Sequence, residues 1–189
     1  MMTRFALIGY RCTGKSSVGK KLASRMSVLF FDSDQVIMER AGASIADIVA
    51  TDGWRRFREW EEEIIRDLAS GGDAIIALGG GALDNARNRD VLEKAQFRFI
   101  WLTADAETII SRMTADNNTE TVRPSLLGDE LEAETRRMLA RREPVYRDAA
   151  DLICDTSDKS IDSVVEELYY KLLAKDISWQ ETHSEPSSE

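Results

Sequence analysis

The segment Gly9-Tyr10-Arg11-Cys12-Thr13-Gly14-Lys15-Ser16 combines residue types at a spacing that predicts a specific chemistry. It fits the pattern G-x-x-x-x-G-K-[ST] completely, and in that pattern backbone amides surround phosphate oxygens. Lys15 supplies a mobile ammonium group for the β- and γ-phosphates, and the Ser16 hydroxyl is a hard oxygen ligand of the kind that Mg²⁺ prefers. An apolar run precedes the segment and an amphipathic pattern follows it, so we predict a nucleotide site rather than a glycine-rich turn.

Two carboxylates, Asp32 and Asp34, follow the apolar run at residues 28–31. In a parallel sheet they would lie at the carboxyl edge, where residues 9–16 also lie. One carboxylate could hold water on Mg²⁺, and the other could accept a hydrogen bond from a substrate hydroxyl. The alternative is that Asp32 or Ser33 simply caps the next helix.

The remaining polar signals are three consecutive glycines and a pair of oppositely charged residues. Gly79, Gly80 and Gly81 follow an apolar run. Their conformational entropy is costly unless the backbone must approach a ligand closely. Arg58 precedes Glu61 by one helical turn, so the carboxylate could orient the guanidinium to bind a substrate carboxylate. An ordinary surface ion pair fits the same spacing, and the sequence leaves both interpretations open.

Alternating strand and helix patterns position these residues. Five apolar runs have the length of strands: residues 5–8, 28–31, 74–78, 97–102 and 151–154. Amphipathic segments between them predict helices, with separate helices beginning near Ser44 and near Gly53. This alternation favours a three-layer α/β/α fold in which a five-stranded parallel sheet is covered on both faces.

The domain organisation is predicted to be simple. We expect one domain over residues 1–176 and a disordered C-terminal tail over residues 177–189, because the last residues are polar and lack periodicity. Residues 114–128 are also polar and aperiodic, and they contain Arg123-Pro124.

Composition excludes several classes of function. The chain has 189 residues, with Lys+Arg 25 against Asp+Glu 34 and a net charge of −9. This charge disfavours nonspecific binding to nucleic acid or to anionic membranes. Two cysteines and one histidine are too few for a zinc cluster, and a Ser-His-Asp hydrolase is disfavoured by the position of His183 near the polar terminus. No apolar run is long enough for a membrane helix or a signal peptide, so we expect a cytoplasmic protein.

Taken together, the motifs resemble those of the shikimate kinases, which are small P-loop kinases of the nucleoside-monophosphate-kinase fold. The resemblance runs from about residue 5 to about residue 172. The matching segments are Gly9–Ser16, Phe31-Asp32-Ser33-Asp34, Ser44-Ile45-Ala46-Asp47-Ile48, Phe57-Arg58-x-x-Glu61, Leu78-Gly79-Gly80-Gly81-Ala82, Arg123-Pro124 with Leu126-Leu127, and Arg142-x-Pro144-x-Tyr146.

The resemblance implies that ATP donates its γ-phosphoryl group to the 3-hydroxyl of shikimate, with Mg²⁺ present. The implied catalytic residues are Lys15, Asp34 and Arg123, with Asp34 as the proton acceptor. The implied nucleotide-binding residues are Cys12, Thr13, Gly14, Lys15, Ser16, Ser17 and Arg123. The implied shikimate-binding residues are Asp34, Arg58, Gly79, Gly80, Gly81 and Arg142. Ser16 would bind the metal, Asp32 would hold its water shell, and residues 114–128 would form a mobile lid.

The sequence departs from the family pattern at a few positions. Ser125 interrupts the usual Arg-Pro-Leu-Leu of the lid, and Asp158 stands where some members have a basic residue. Arg112 could contact a phosphate or adenine, or it could be a solvated helix residue. Two alternatives to a monomeric shikimate kinase are another small-molecule kinase of this fold, such as a gluconate-type kinase, and a non-catalytic nucleotide-binding regulator. The regulator is disfavoured because Lys15, Asp34 and Arg123 are all present.

Overall fold

Five parallel strands form one sheet in the computed structural model, which describes residues 3–115 and 129–183. The strands are β1 (Arg4–Ile8), β2 (Leu29–Asp32), β3 (Ala74–Ala77), β4 (Arg98–Thr103) and β5 (Leu152–Asp155). The helices are α1 (Lys15–Met26), α2 (Ser33–Ala41), α3 (Ile45–Ala69), α4 (Ala86–Lys94), α5 (Ala106–Ala115), α6 (Asp129–Ala149) and α7 (Ile161–His183), with a short 3-10 helix at Ala82–Asp84.

The order of the strands is β2-β3-β1-β4-β5, and every neighbouring pair is parallel. The central strand β1 pairs with β3 on one side and with β4 on the other, with Phe5 opposite both Ile75 and Arg98. All five carboxyl ends therefore meet at one edge, which brings the loops after β1, β2 and β3 together.

Alternation along β1 separates two apolar cores. Phe5 and Leu7 face a cluster formed with α1 and α7, whereas Ala6 and Ile8 face a cluster to which α3, α4 and α6 contribute. Both faces of the sheet are thus covered by helices, and the predicted three-layer α/β/α fold is confirmed. A smaller cluster around Ile37 joins α2 to α3 outside these two cores.

The segment α3 is interrupted at the residue where the sequence predicted a second helix to begin. Separate helices were expected from Ser44 and from Gly53, and the range Ile45–Ala69 consists of two helical parts that meet at a kink at Gly53. Gly53 has φ 80° and ψ 168°, a conformation that side-chain-bearing residues rarely adopt. The helical backbone is therefore broken at Gly53, and the predicted separation of the two helices is confirmed.

The C-terminal prediction needs correction. The backbone of α7 remains helical to His183, so residues 177–183, expected to be disordered, are helical. The predicted lid lies mostly outside the described residues, and Arg123 lies outside them completely. Among the described helices, none is long and apolar enough to cross a membrane.

Candidate active site

The loop between β1 and α1 has the backbone conformation of a phosphate-binding loop. Gly9 and Gly14 have φ values of 136° and 90°, and a Cβ on Gly9 would lie 2.2 Å from the carbonyl oxygen of Leu102. A side chain at position 9 would collide with this oxygen, so only glycine fits there. Cys12 also has a positive φ, 60°, which is uncommon for a residue with a side chain. The Thr13 hydroxyl is buried and donates to the Tyr10 carbonyl at 2.8 Å, which fixes the turn.

Lys15 folds back over this loop. Its Nζ donates to the carbonyl oxygens of Gly9 at 2.9 Å and of Tyr10 at 2.8 Å. Burial lowers the pKa of the Lys15 ammonium group, whereas the nearby carboxylates of Asp34 and Asp32 raise it. The cation is thus held at the loop, close to both acidic residues, where it can move onto a phosphate oxygen.

Asp32 caps the next helix, as one of the two alternatives held, and it also contacts the phosphate loop. Its Oδ1 caps α2 by accepting hydrogen bonds from the amides of Asp34 at 3.1 Å and Gln35 at 3.3 Å, while its Oδ2 accepts a hydrogen bond from the Ser16 hydroxyl. A capping residue and a potential metal-site residue are therefore the same side chain. Ser16 and Asp32 together present hard oxygen donors beside the phosphate loop, the donor chemistry that Mg²⁺ prefers.

The three glycines lie against the other predicted site residues. A Cβ on Gly79 would be 2.5 Å from Oδ1 of Asp34, and one on Gly81 would be 2.6 Å from Nη2 of Arg58 and 2.7 Å from Nη2 of Arg142. The absence of side chains at Gly79 and Gly81 thus leaves room for one carboxylate and two guanidinium groups. It also follows that the two Nη2 atoms are close enough for a single carboxylate to bridge them.

Arg58 is oriented by Glu61, as the helical spacing allowed. The Arg58 Nη1 lies 2.6 Å from Oε2 of Glu61, whose side chain is 1% exposed. Burial raises the pKa of the Glu61 carboxyl, and the Arg58 charge opposes that shift. The surface-pair alternative is wrong, because the carboxylate is buried beneath the site.

Arg142 comes from α6 and has a partner that the sequence did not reveal. Its Nη2 lies 3.1 Å from Oδ2 of Asp84, and its side chain is 7% exposed. Asp84 belongs to the short 3-10 helix that follows the glycines. Ser33 and Tyr146 were also missed. The Ser33 hydroxyl accepts from the Gly79 amide at 3.0 Å, and the Tyr146 hydroxyl donates to the Gly80 carbonyl.

On the opposite side of the phosphate loop, Arg112 joins two loops. Its guanidinium donates to the carbonyl oxygen of Cys12 at 3.2 Å and to that of Thr156 at 2.6 Å. It is therefore a structural bridge and not a solvated helix residue. Arg112 also lines a cavity of about 390 Å³ that adjoins the loop. Other lining residues are Cys12, Gly14, Ser17, Lys159 and Ile161.

The structure thus brings the predicted site residues to one edge of the sheet, apart from Arg123, which it does not describe. The nucleotide-side residues Cys12, Thr13, Gly14, Lys15, Ser16 and Ser17 form the loop and the start of α1. The acceptor-side residues lie on the other side of that loop, on α2, α3 and α6 and in the segment after β3. In the described ranges, no group of three or more His, Cys, Asp or Glu residues could hold a metal ion.

Comparisons with known proteins agree with this arrangement. The family model for shikimate kinase matches residues 11–173. A shikimate kinase from Syntrophus aciditrophicus (strain SB) is 40% identical over 170 residues, which cover 86% of this chain and 87% of that protein. One from Geobacter sulfurreducens is 42% identical over 162 residues and covers 86% of each chain.

Solved structures show the same likeness. Shikimate kinase from Acinetobacter baumannii in complex with shikimate superposes with a TM-score of 0.84 at 27% identity, covering 93% of this chain and 95% of that chain. A gluconokinase from Sinorhizobium meliloti reaches a TM-score of 0.57 at 19% identity, covering 94% and 97%. The second likeness concerns the fold alone.

Proposed function

The chain belongs to the shikimate kinase family, and on that premise we propose which residues bind ATP and shikimate and which assist the transfer. The enzyme moves the γ-phosphoryl group of ATP to the 3-hydroxyl of shikimate and releases ADP and shikimate 3-phosphate, a step in chorismate biosynthesis. Phosphoryl transfer needs positioning and neutralisation of charge more than covalent catalysis. The proposed roles follow from where each charge lies.

The observation that carries the acceptor assignment is the convergence of Arg58 and Arg142 on Gly81. Both Nη2 atoms lie within 2.7 Å of the position that a Gly81 Cβ would occupy. Two guanidinium groups at such a separation repel each other, and a carboxylate between them removes that repulsion. We therefore place the shikimate carboxylate at this point.

Asp34 is proposed to bind a shikimate hydroxyl and to accept its proton. Its Oδ1 lies against Gly79, and its charge acts on the Lys15 ammonium group. A hydroxyl held by Asp34 is thus near both the acceptor side of the site and the phosphate loop. Lys15 is proposed to leave the Gly9 and Tyr10 carbonyls and neutralise charge on the transferring group.

Mg²⁺ is proposed to be held by Ser16 directly and by Asp32 through water. The hydrogen bond between these two side chains already places their oxygens together beside the loop. When bound, the metal would neutralise phosphate charge. With few protein ligands, such a site depends on the nucleotide to complete it, as is common for Mg²⁺.

The remaining proposals rest on the sequence, except for the position of the nucleotide base. Arg123 is proposed to reach the transferring phosphoryl group from the lid at residues 114–128, as the family pattern implies. The nucleotide base is proposed to occupy the cavity beside Arg112, because that cavity adjoins the loop that would hold the phosphates. A monomeric state and a cytoplasmic location remain predictions of the sequence.

A coupled assay of ADP release tests the acceptor assignment, with shikimate, gluconate and quinate offered in parallel. Shikimate should be the preferred acceptor. Arg58→Lys keeps the charge but loses the planar fork, so the KM for shikimate should rise about tenfold while the KM for ATP stays within twofold. Asp34→Asn should lower kcat by about 10²–10⁴ because the proton acceptor is lost.

Two results would contradict the proposal. Faster turnover of gluconate than of shikimate would assign the enzyme another acceptor. An effect of Arg58→Lys on ATP alone would show that the acceptor site is elsewhere. Exposed Arg55, three residues before Arg58, supplies the matched control, since Arg55→Lys should leave both constants unchanged.

A further inference from the structure

The glycine segment after β3 is held from outside by two side chains on different elements. The Ser33 hydroxyl, at the start of α2, accepts from the Gly79 amide at 3.0 Å. The Tyr146 hydroxyl, on α6, donates to the Gly80 carbonyl. The turn also bonds to itself, because the Ala82 amide donates to the Gly79 carbonyl at 2.9 Å. The Gly79 amide and the carbonyl groups of Gly79 and Gly80 therefore all have hydrogen-bond partners within the protein.

The amides of Gly80 and Gly81 differ from these three groups in their hydrogen bonding. Within the described residues, neither amide donates a hydrogen bond. In a planar trans peptide the N–H points opposite to the C=O of the preceding residue. Because the Gly79 carbonyl is turned toward the Ala82 amide and the Gly80 carbonyl toward Tyr146, the next two amides must point away from these partners.

The surroundings of the two glycines show between which groups of the site this segment lies. The Gly80 Cβ position is 3.6 Å from the Gly9 carbonyl oxygen and 3.7 Å from the Arg11 amide, both in the phosphate loop. The Gly81 Cβ position is next to Arg58 and Arg142. The segment thus lies between the phosphate loop and the arginine pair, the space that an acceptor with a carboxylate and a reacting hydroxyl would occupy.

We propose that Tyr146 is a positioning residue of the acceptor site, which turns the peptide between Gly80 and Gly81 so that the Gly81 amide faces bound shikimate. This inference rests on the proposed acceptor site. Tyr146 is suited to the task because its ring is 3% exposed and packs against Trp101 with 5.9 Å between ring centroids. It also lies one helical turn beyond Arg142, so one face of α6 supplies both a cation for the carboxylate and a hydroxyl that orients the adjoining backbone.

Tyr146→Phe tests the inference because it removes the hydroxyl and keeps the packed ring. Without its donor the Gly80 peptide can rotate, so the KM for shikimate should rise about tenfold, the scale of one well-placed hydrogen bond. The KM for ATP should stay within twofold, and titration calorimetry with shikimate alone should show the same tenfold loss. Tyr170→Phe is the matched control, since Tyr170 is exposed on α7 and should change neither constant.

A KM for shikimate within twofold of that of the unmodified enzyme would overturn the inference. So would a parallel rise in both KM values, because loss of general structure would affect both substrates. If Tyr146→Phe does not fold, Ser33→Ala decides by the same criteria, since it frees the segment from the other side. Failure of the proposed function is distinguishable, because then the unmodified enzyme itself would not phosphorylate shikimate.

Discussion

Each arginine of the acceptor site has a carboxylate partner, and the two partners differ in exposure. Glu61, which holds Arg58, is 1% exposed, whereas Asp84, which holds Arg142, has a side chain that is 27% exposed. The two arginines differ in the opposite sense, because the Arg58 side chain is 32% exposed and that of Arg142 is 7% exposed. Each pair therefore joins one buried side chain to one that water can reach, and we expect a buried partner to restrict each guanidinium.

The buried carboxylate makes a prediction about pH. Burial raises the pKa of Glu61 above its ordinary 4.5, with Arg58 opposing the shift and Asp34 and Asp84 reinforcing it. Between the unfolded and folded pKa values, the native state therefore holds a proton that the unfolded state has released. The stability contributed by Glu61 is fully present below pH 4.5 and is lost as pH rises through the folded pKa.

Urea unfolding of Glu61→Gln between pH 4.5 and 8 measures this contribution. The unfolding free energy of the variant should rise relative to that of the unmodified protein as pH increases, because glutamine cannot titrate. Glu59→Gln is the control, since hydrogen bonds from Arg55 and Arg56 lower the pKa of exposed Glu59. Its difference from the unmodified protein should be flat above pH 5. A flat difference for Glu61→Gln as well would contradict the proposed burial of charge.

At the scale of the elements, the bend in α3 determines where Arg58 lies. Gly53 separates the first turns of the helix, which pack with α2, from the segment that carries Arg58 and Glu61. A Cβ at Gly53 would meet nothing within 4 Å, so the requirement for glycine is one of backbone conformation alone. A residue with a side chain would be strained at φ 80° and ψ 168°.

Gly53→Ala should therefore lower stability by about 1–3 kcal/mol, seen as a fall in Tm of roughly 3–10 °C. The KM for shikimate should rise severalfold because Arg58 shifts with the helix, and the KM for ATP should not change. Gly72→Ala provides the comparison, since its Cβ would also meet nothing within 4 Å and its φ lies outside the left-handed range. Equal Tm values for the two variants would show that the bend does not need glycine.

The distance along the chain between contacting residues explains how much of the fold and of the candidate site could be predicted from the sequence. The strands, the phosphate loop and the Arg58–Glu61 pair depend on residues close in the chain, and the structure contains all of them. The bonds of Ser33 to Gly79, Asp84 to Arg142 and Tyr146 to Gly80 join residues 46, 58 and 66 positions apart. Such contacts require the order of the strands and the approach of α6, and no local pattern specifies them.

At the scale of the whole molecule, the proposed nucleotide site and the Asp34–Arg58 part of the proposed acceptor site lie on elements that pack in different apolar clusters. The proposed acceptor residues Asp34 and Arg58 belong to α2 and α3, around the small cluster of Ile37, whereas the proposed nucleotide cavity lies between α5, α7 and the phosphate loop. Loss of one ligand contact should therefore leave binding of the other ligand intact.

Thermal unfolding tests this separation. At 100 times its Kd, each of ADP with Mg²⁺ and shikimate should stabilise the enzyme by about 2.7 kcal/mol, or roughly 5–11 °C in Tm. Arg58→Lys should reduce the shift caused by shikimate and retain the full shift caused by ADP with Mg²⁺. Loss of both shifts in that variant would mean that the two sides fold or close as one unit.

The central position of β1 divides the sheet into two flanks that lead to different parts of the site. Its neighbour β3, with β2 beyond it, leads into the segments of the proposed acceptor site, while β4 and β5 lead into segments around the proposed nucleotide cavity. Changes that aim at a different acceptor should therefore be made on one flank of the sheet and at Arg142 and Tyr146 on α6, and they should leave the phosphate loop as it is.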